Sequence, residues 1–504
     1  MEGILRYLRT PGAKGEIEAA APTQRVSHGL DGKTQADISD SVGYTVPVKA
    51  RMLDRWLDRV VQFSGSEVVF FVIISGLLAW AFLGIRYGTA DSWQVAISDV
   101  QAIVAYVFDS FLVRQELNLY EEGMAAAATL QSRLMSHERM LRKLLRDSQT
   151  DMFEKGVPLA EENKTLLDKY RVDFPSETWF GRFTTYASHV FGHLATVSLY
   201  WAGVFIWIGI GRLCGWSNNW QLYMNSASSA LMVFIFAFLA NIRERHSAYM
   251  NKCLDAIFKT DSMVEARLRH LTGDDAENAI VVLPAPKVGI IQRAIYYYAD
   301  FVGTLVGIGI LTVVIVVWVA VGPLLHFSSN WWLIIGTYAG LVGMNDGFVL
   351  RNMQNRLGKY VDDEFSRVEV EDEKLYAILS IPMPEKETIG KPSPTQKVSE
   401  LVNKISSHEL TVVAGVLTIC GLVAGASAMR WSTTGQLLCN VPPSLIESFF
   451  MIVLITGHNA ADDKRRIGLK NIYERRLRLL SFAESIKPHT NETLVETPTK
   501  DINT

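Results

Sequence analysis

The stretch VVFFVIISGLLAWAFLGI, from Val68 to Ile85, decides the fold class, because it runs for eighteen residues without one charged side chain. A helix of that length crosses most of a hydrocarbon core about 30 Å thick. Elsewhere in the sequence, similar uncharged runs cover Ala187–Gly211, Trp216–Ile242 and Leu410–Met429. Phe301–Gly322 is the first part of another, longer uncharged run. The sequence therefore predicts a helical protein that spans the membrane several times.

Three further apolar stretches carry acidic residues and bring the number of predicted spans to eight. They are Val95–Arg114 with Asp99 and Asp109, Trp331–Arg351 with Asp346, and Ser444–His458 with Glu447. The first span begins after about sixty residues, which argues against a cleaved secretory signal. We therefore expect an integral membrane protein with every span retained.

Composition excludes several classes of protein. The 49 Lys and Arg residues nearly balance 52 Asp and Glu residues, for a net charge of −3. Nucleic-acid binders usually have a basic excess, so we expect no nucleic-acid partner. The four cysteines form no CxxC pair, and the chain has no phosphate loop, GxSxG or HExxH. These absences argue against a disulfide framework, an ATP-driven pump and an enzyme.

The basic residues predict the orientation of the spans. Short hairpins near residues 86–93, 211–220, 322–331 and 429–436 hold only Arg86, Arg212 and Arg430. Because Lys and Arg concentrate on the cytosolic side, the hairpins should face outward. The sequence thus predicts that both termini and the three long loops lie in the cytosol.

Internal similarity groups the spans into pairs. Residues at equal spacing form three columns, which are Gly65, Gly192, Gly303 and His408, then Trp80, Trp207, Trp318 and Val423, then Trp93, Trp220, Trp331 and Gln436. Each copy contains two spans, so all copies insert with the same orientation. We predict an all-α polytopic membrane protein with eight transmembrane helices, built as four parallel two-helix hairpin repeats around an axis along the membrane normal.

The predicted organisation alternates repeats with cytosolic segments. The four repeats cover residues 51–120, 179–250, 290–360 and 397–465. The cytosolic segments are an N-terminal tail (1–50), a helical loop (121–178), a loop (251–289), a helix with a linker (361–396), and a C-terminal helix with a tail (466–504). Apolar residues spaced near 3.6 predict that amphipathic helices follow the second span of each repeat.

Polar residues in the first spans gather around the glycine column. They are Gln62, His189 and Asp300 before it, and Ser66, Glu67, His193, Thr304 and Glu409 after it, with His408 in the column itself. His189 and His193 are four residues apart, so on one helix both imidazoles could reach a metal ion. Asp300 and Glu409 could supply compensating charge. Alternatively, these residues are merely hydrogen-bonded at the cytosolic interface.

The second spans carry a separate set of acids. Asp99 lies near the outer end, Asp109 and Asp346 lie deeper, and Glu447 lies one turn outward from them. Rings of carboxylates attract cations, so these acids are candidate metal contacts along a path. Asn345 and His458 are further candidates. Alternatively, the acids are protonated, or are paired with arginines or backbone groups.

Several motifs add to this pattern. They are the Trp-Gln turn (Trp93-Gln94 and Trp220-Gln221), the run NMQNR at Asn352–Arg356, and PGAK at Pro11–Lys14 followed by APT at Ala21–Thr23. With the repeat, they resemble the fungal low-affinity iron(II) transporter family from about residue 10 to 485. The resemblance implies a plasma-membrane permease for Fe²⁺ that also admits Zn²⁺, Mn²⁺, Co²⁺ or copper. The ion would be its substrate, with no permanently bound cofactor.

Other functions and partners remain open at this point. A membrane redox protein with His-ligated haem is the main alternative, although only the third span carries two histidines. An anion or lipid transporter is disfavoured by acidic spans that are nearly free of arginine. The expected partners are the lipid bilayer and a divalent metal ion, and a second copy of the chain is a possible one. The resembled family has small bacterial relatives that correspond to one hairpin and must assemble to build a pore, so a homodimer is plausible.

Overall fold

The computed structural model describes residues 12, 14–24, 42–88, 90–147, 175–388 and 394–486, and most of them are helical. Most of the predicted N-terminal tail, residues 148–174 of the predicted helical loop, residues 389–393 of the linker and the tail after residue 486 lie outside this range. The helices fall into four units of the same order. Each unit has a 13-residue helix, a span helix of 17–21 residues and a long helix of 45–57 residues.

The bounds of the elements follow the chain. Unit 1 contains α1 (Met52–Ser64), α2 (Glu67–Tyr87) and α3 (Asp91–Asp147), and unit 2 contains α4 (Trp179–Phe191), α5 (Leu194–Gly211) and α6 (Asn218–Thr272). Unit 3 contains α7 (Ile290–Val302), α8 (Leu305–Val321) and α9 (Ser329–Leu379), and unit 4 contains α10 (Pro394–Ser406), α11 (Glu409–Ala428), α12 (Thr433–Leu438) and α13 (Val441–Ser485). Two short strands, β1 (Ile17–Ala19) and β2 (Val281–Leu283), pair antiparallel.

A sharp break separates the first two helices of every unit. The 13-residue helices of units 1 to 3 end at Gly65, Gly192 and Gly303. The next residue is a polar N-cap whose side chain accepts a hydrogen bond from the first turn of the span helix, namely Ser66, His193, Thr304 and His408. Such a cap satisfies an amide that has no partner within the helix. The prediction that Ala187–Gly211 and Phe301–Gly322 each form one continuous helix is therefore wrong. In unit 3 the helix axis bends by 66° at the break.

The N-caps also correct the register of the fourth unit. The sequence columns aligned His408 with the glycines, whereas the structure gives Ser407 that place and makes His408 the N-cap. Glu409 then corresponds to Glu67 in the first turn of its helix, and not to Thr304. The shift arose because Ser407 replaces the glycine that marks the break in the other units.

Membrane-spanning helices form two concentric layers. Among the described residues, seven helices are long and apolar enough to cross a bilayer, and the bent pair α7 and α8 is an eighth candidate. The most apolar window of α2 has none of its residues buried, against 72% of that in α3. The long helices therefore form the inner layer, and the span helices lie on the outside.

The four long helices close into a ring whose order differs from the chain order. Helix α3 packs against α6 and α9, and α13 packs against the same two helices, so the units follow each other as 1, 2, 4 and 3. In units 2, 3 and 4, the residue 48 positions after the N-cap donates a hydrogen bond to the break of a neighbouring unit. These hydrogen bonds are Asn241 Nδ2 to the Gly65 oxygen at 2.9 Å, Asn352 Nδ2 to the Ser407 oxygen at 2.8 Å, and Thr456 Oγ1 to the Gly192 oxygen at 2.7 Å.

Tryptophan pairs fix the hairpin end of units 1 to 3. Two indoles stack in parallel, with ring centroids 3.9–4.4 Å apart, in the pairs Trp80–Trp93, Trp207–Trp220 and Trp318–Trp331. Each indole Nε1 donates to the backbone oxygen of its partner at 2.8–3.3 Å. Unit 4 lacks this pair, and there Cys439 Sγ donates to the Leu422 oxygen at 3.4 Å.

Beyond their membrane-length part, the long helices continue side by side into an extension. Its core holds a buried ion network in which Arg476 Nε lies 2.8 Å from Asp261 Oδ1, and a second nitrogen of Arg476 pairs with Asp372. Arg133 also pairs with Glu265 at 3.0 Å in this core. All of these side chains are at most 1% exposed, so each charge depends on its partner.

Candidate functional site

Three carboxyl groups lie inside the ring of long helices. Asp109 on α3, Asp346 on α9 and Glu447 on α13 are at most 1% exposed. Within the described residues, neither oxygen of Asp109 or Glu447 has a hydrogen-bond partner, and Asp346 accepts one bond, from Tyr298 Oη at 2.6 Å. Asp109 is within electrostatic range of both other carboxyls. Burying an unpaired carboxylate costs roughly several kcal/mol of folding free energy. The cluster therefore does not stabilise the fold, and its presence needs another explanation.

Glycines on α9 make room for this cluster of carboxyl groups. A Cβ atom at Gly343 would lie 2.5–2.6 Å from the Glu447 carboxylate, and one at Gly336 would lie 2.6 Å from the Asn440 amide nitrogen. Towards the hairpins the ring interior stays polar, with Asn440 and Ser444 both at most 1% exposed. Asp99 is also buried on this side, and both its oxygens lack partners among the described residues.

A layer of four leucines closes the ring on the extension side of the carboxyl groups. Each leucine is 46 residues after the N-cap of its unit, each is 0% exposed, and all belong to one apolar cluster, namely Leu112, Leu239, Leu350 and Leu454. We call them the leucine ring. Arg243 donates to the Leu112 oxygen at 3.4 Å, and Gln354 donates to the Leu454 oxygen at 3.2 Å. The leucine ring thus separates the carboxyl groups from a second polar layer.

That second layer lines a cavity of about 90 Å³, here called the inner chamber. All four long helices contribute to its wall, including Glu116, Arg243, Gln354 and His458, each 50 residues after an N-cap. His246 Nδ1 lies 2.8 Å from His458 Nε2 and 3.4 Å from Asp462 Oδ2. Because the two imidazoles are directly hydrogen-bonded and stacked, this pair leaves no room for a haem between them.

The structure does not bring the predicted first-span ligands together. His189 lies on α4, 3.7 Å from Asp463 Oδ1, whereas His193 caps α5 with its Nδ1 accepting from the Ala195 amide at 3.1 Å. The helix break at Gly192 removes the one-face geometry that the spacing predicted. Asp300 forms an ion pair with Lys14 at 2.5 Å, and its side chain is 20% exposed. Glu409 lies in the first turn of α11, where the helix dipole stabilises its negative charge.

The remaining predicted residues have local roles or lie near the carboxyl groups. Gln62 and Glu67 are exposed, and Glu67 lies 3.8 Å from Arg245. Ser66, Thr304 and His408 are N-caps, and Asn345 adjoins Asp346. In the part of the chain that the structure describes, no three His, Cys, Asp or Glu side chains form a group that could hold a metal ion.

His193 provides a test of the cap assignment. Replacing His193 with Ala should reduce the free energy of unfolding by about 1 kcal/mol, because the Ala195 amide loses its acceptor. His193→Ser should restore most of that loss, since Ser is a good N-cap. Thermal unfolding in detergent measures both variants. Unchanged stability of His193→Ala would contradict the assignment.

Comparison with known proteins shows the family. The sequence model described as low affinity iron permease matches residues 180–279, 292–368 and 395–497. The low-affinity iron/zinc ion transport protein of Schizosaccharomyces pombe is 36% identical over 441 residues, covering 87% of this chain and 75% of the relative. The low-affinity Fe(2+) transport protein of Saccharomyces cerevisiae is 32% identical, covering 97% and 99%.

No solved structure matches the fold significantly. The family match covers more than half of the chain, in three segments that include all of α6 and α13 and most of α9, and therefore Asp346 and Glu447. Both relatives are named as transport proteins, and the one from Saccharomyces cerevisiae matches almost from end to end. The chain is a membrane transport protein and belongs to the low-affinity iron permease family.

Proposed function

We propose that this protein carries Fe²⁺ at low affinity along the axis of the four long helices. The observation that carries the proposal is the buried, unpaired cluster of Asp109, Asp346 and Glu447 in a member of a permease family. Relatives named for iron and for iron/zinc transport support Fe²⁺ and Zn²⁺ as substrates. The family resemblance also implies Mn²⁺, Co²⁺ and copper as further substrates.

The proposed orientation places the hairpins outside the plasma membrane, with both termini and the extension in the cytosol. The distribution of Lys and Arg supports it, because the short hairpins hold only three of the 49. In this arrangement the four units are parallel hairpin repeats around one axis, and the helices of the extension lie in the cytosol. A cation entering from outside meets Asp99 first, then the three carboxyl groups, and then the leucine ring.

Weak binding follows from the small number of ligands along this path. The carboxylates attract the ion and replace part of its water shell, but they do not surround it, so release need not be slow. The membrane potential supplies about 2.3 kcal/mol per elementary charge for each 100 mV, which is doubled for a divalent ion. An inside-negative potential can therefore drive inward movement without any nucleotide.

Purified protein in liposomes tests the function. Uptake of ⁵⁵Fe²⁺, kept reduced by ascorbate, should saturate, should be inhibited by Zn²⁺ and should increase when valinomycin and a K⁺ gradient make the interior negative. Protein-free liposomes are the control. Absence of protein-dependent uptake of any divalent cation would contradict the proposal, and a haem absorption band in the purified protein would favour the redox alternative.

The leucine ring should act as the closed constriction of this path. Replacing Leu350 with Ser should increase the basal leak of divalent cations by about tenfold, because apolar constrictions exclude water and ions. Leu350→Met is the matched control, since it conserves volume and polarity and should leave the leak unchanged. Efflux of preloaded ⁶⁵Zn²⁺ from liposomes measures both variants. Equal leaks in the two variants would place the constriction elsewhere.

A further inference from the structure

An ion in the inner chamber cannot continue along the axis. Below the chamber the long helices pack around an apolar cluster that includes Leu130, Ile257 and Val368. Below that cluster lies the buried ion network of the extension, in which Arg133 and Arg476 are paired with carboxylates. A close-packed apolar core has no space for a divalent cation, and the carboxylates of the network already have their counter-charges. The exit from the chamber must therefore lead sideways, between two long helices.

A second cavity adjoins the chamber on one side. It has a volume of about 660 Å³ and lies between α3 and α6, beside α1. The two cavities share a wall, formed by Leu119, Tyr120, Glu122, Arg243 and Ser247. We call the second cavity the side portal.

The walls of the side portal are strongly charged, with a small excess of acidic residues. Its lining includes six acids, Glu16, Glu18, Asp58, Glu121, Glu122 and Glu244, and five bases, Lys14, Lys49, Arg55, Arg59 and Arg243. Gln115, also in the wall, is 7% exposed, and neither its amide oxygen nor its nitrogen has a partner among the described residues. A buried amide without partners indicates a ligand or water that the protein alone does not supply.

A cation of the protein itself already occupies the mouth of the side portal. Lys49 Nζ lies 2.5 Å from Asn118 Oδ1 and 3.3 Å from Asp58 Oδ2. Residues 46–48, directly before this lysine, and the segment around β1 form part of the cavity wall. This part of the wall therefore accommodates a positive charge, and Asp58 is already compensated by Lys49.

We propose that the side portal between α3 and α6 is the route by which the divalent cation leaves the inner chamber for the cytosol, with Glu122 and Glu244 guiding it. The inference rests on the proposed path through the leucine ring. It makes the four-unit ring functionally asymmetric, because the exit belongs to the interface of units 1 and 2.

Cysteine modification from the cytosolic side tests the route. Ser247→Cys adds a thiol where the two cavities meet, and Ser366→Cys adds one on an exposed part of α9 outside both cavities. Both variants carry Cys214→Ser and Cys420→Ser, which remove the exposed native thiols. After treatment with a cationic methanethiosulfonate, ⁵⁵Fe²⁺ flux should fall at least about fivefold for Ser247→Cys and by less than a fifth for Ser366→Cys.

Two results would contradict the proposal that the side portal is the exit route. One is complete modification of Ser247→Cys, verified by mass spectrometry, with flux unchanged. The other is failure of the cytosolic reagent to reach that thiol while Ser366→Cys is fully modified. The untreated parent protein distinguishes failure of the exit route from failure of the transport function, because absence of Fe²⁺ flux in that sample contradicts the proposed function itself.

A substitution without added bulk provides the second readout. The double variant Glu122→Gln and Glu244→Gln should lower the maximal rate of flux about threefold while leaving the external half-saturation concentration unchanged, because only the exit step loses its charges. Glu371→Gln with Glu373→Gln, on the exposed surface of α9, is the charge-matched control. A change in half-saturation alone would contradict an exit role.

Discussion

Replacing Glu447 with Gln should lower the rate of Fe²⁺ uptake by about a hundredfold. The side chain is fully buried, and both its oxygens are free of hydrogen bonds within the described residues. Two unit charges 4 Å apart interact by about 4 kcal/mol at an effective dielectric constant of 20, and a hundredfold effect needs about 2.7 kcal/mol. Asp109 and Asp346 compensate for only part of the loss. Initial rates of ⁵⁵Fe²⁺ uptake in liposomes measure the effect.

A second glutamate of the same helix provides the control for Glu447. Glu474→Gln also removes one negative charge from α13 and should leave uptake within about twofold of the parent protein, because Glu474 lies in the extension outside the walls of both cavities. Gly343→Ala should reduce uptake in the same direction as Glu447→Gln, since its Cβ would displace the Glu447 carboxylate. Full activity of Glu447→Gln in correctly oriented protein would remove this residue from the path.

Replacing Arg476 with Met should cost about 3–5 kcal/mol of unfolding free energy, because it leaves the buried Asp261 and Asp372 without their counter-charge. Burial raises the pKa of the Asp261 carboxyl, and Arg476 and Arg133 oppose that rise. Without Arg476 the pKa of Asp261 should rise further, so protonation becomes easier as pH falls. The loss of stability should therefore be smaller at pH 5 than at pH 7.

Denaturant unfolding in detergent, followed by circular dichroism, measures this prediction for Arg476. Adding Asp261→Asn to Arg476→Met should recover part of the loss, because it removes one of the unpaired charges. Arg478→Met is the control on the same helix and should change stability by less than about 1 kcal/mol. A loss that is the same at both pH values would show that packing, and not charge, explains the effect of Arg476→Met.

The apolar spans could be predicted from the sequence, and their two layers and the helix breaks could not. Uncharged runs locate the four outer span helices, but the run Trp216–Ile242 belongs to the inner helix α6. Acids inside apolar runs locate the other three inner helices, on which Asp109, Asp346 and Glu447 lie. Gly192 and His193 were ambiguous, since a glycine followed by a polar residue fits both a helix interior and a helix end. The local hydrogen bond of His193 decides between them.

The leucine ring and the inner chamber show a different limit. Leucine is common in membrane spans, so its presence alone does not predict a constriction. The equivalence of Leu112, Leu239, Leu350 and Leu454 is visible only when positions are counted from the four N-caps. The same count would have placed His458 in one layer with Glu116, Arg243 and Gln354. The one-residue error at His408 concealed this alignment. His246 could not be paired with His458 from sequence, because the ring order determines which helices are neighbours.

The ring order also bears on how the chain assembles during synthesis. Units 2 and 3 are consecutive in the chain, but each packs against units 1 and 4, so unit 4 is the segment that completes the ring. Until the ribosome has delivered α13, Asp109 and Asp346 lie in an open groove facing lipid. Insertion of these acids is unfavourable before closure, and a chain that stops short of α13 exposes them permanently. Synthesis of α13 is therefore the step after which quality control can separate molecules with a closed ring from those with an open one.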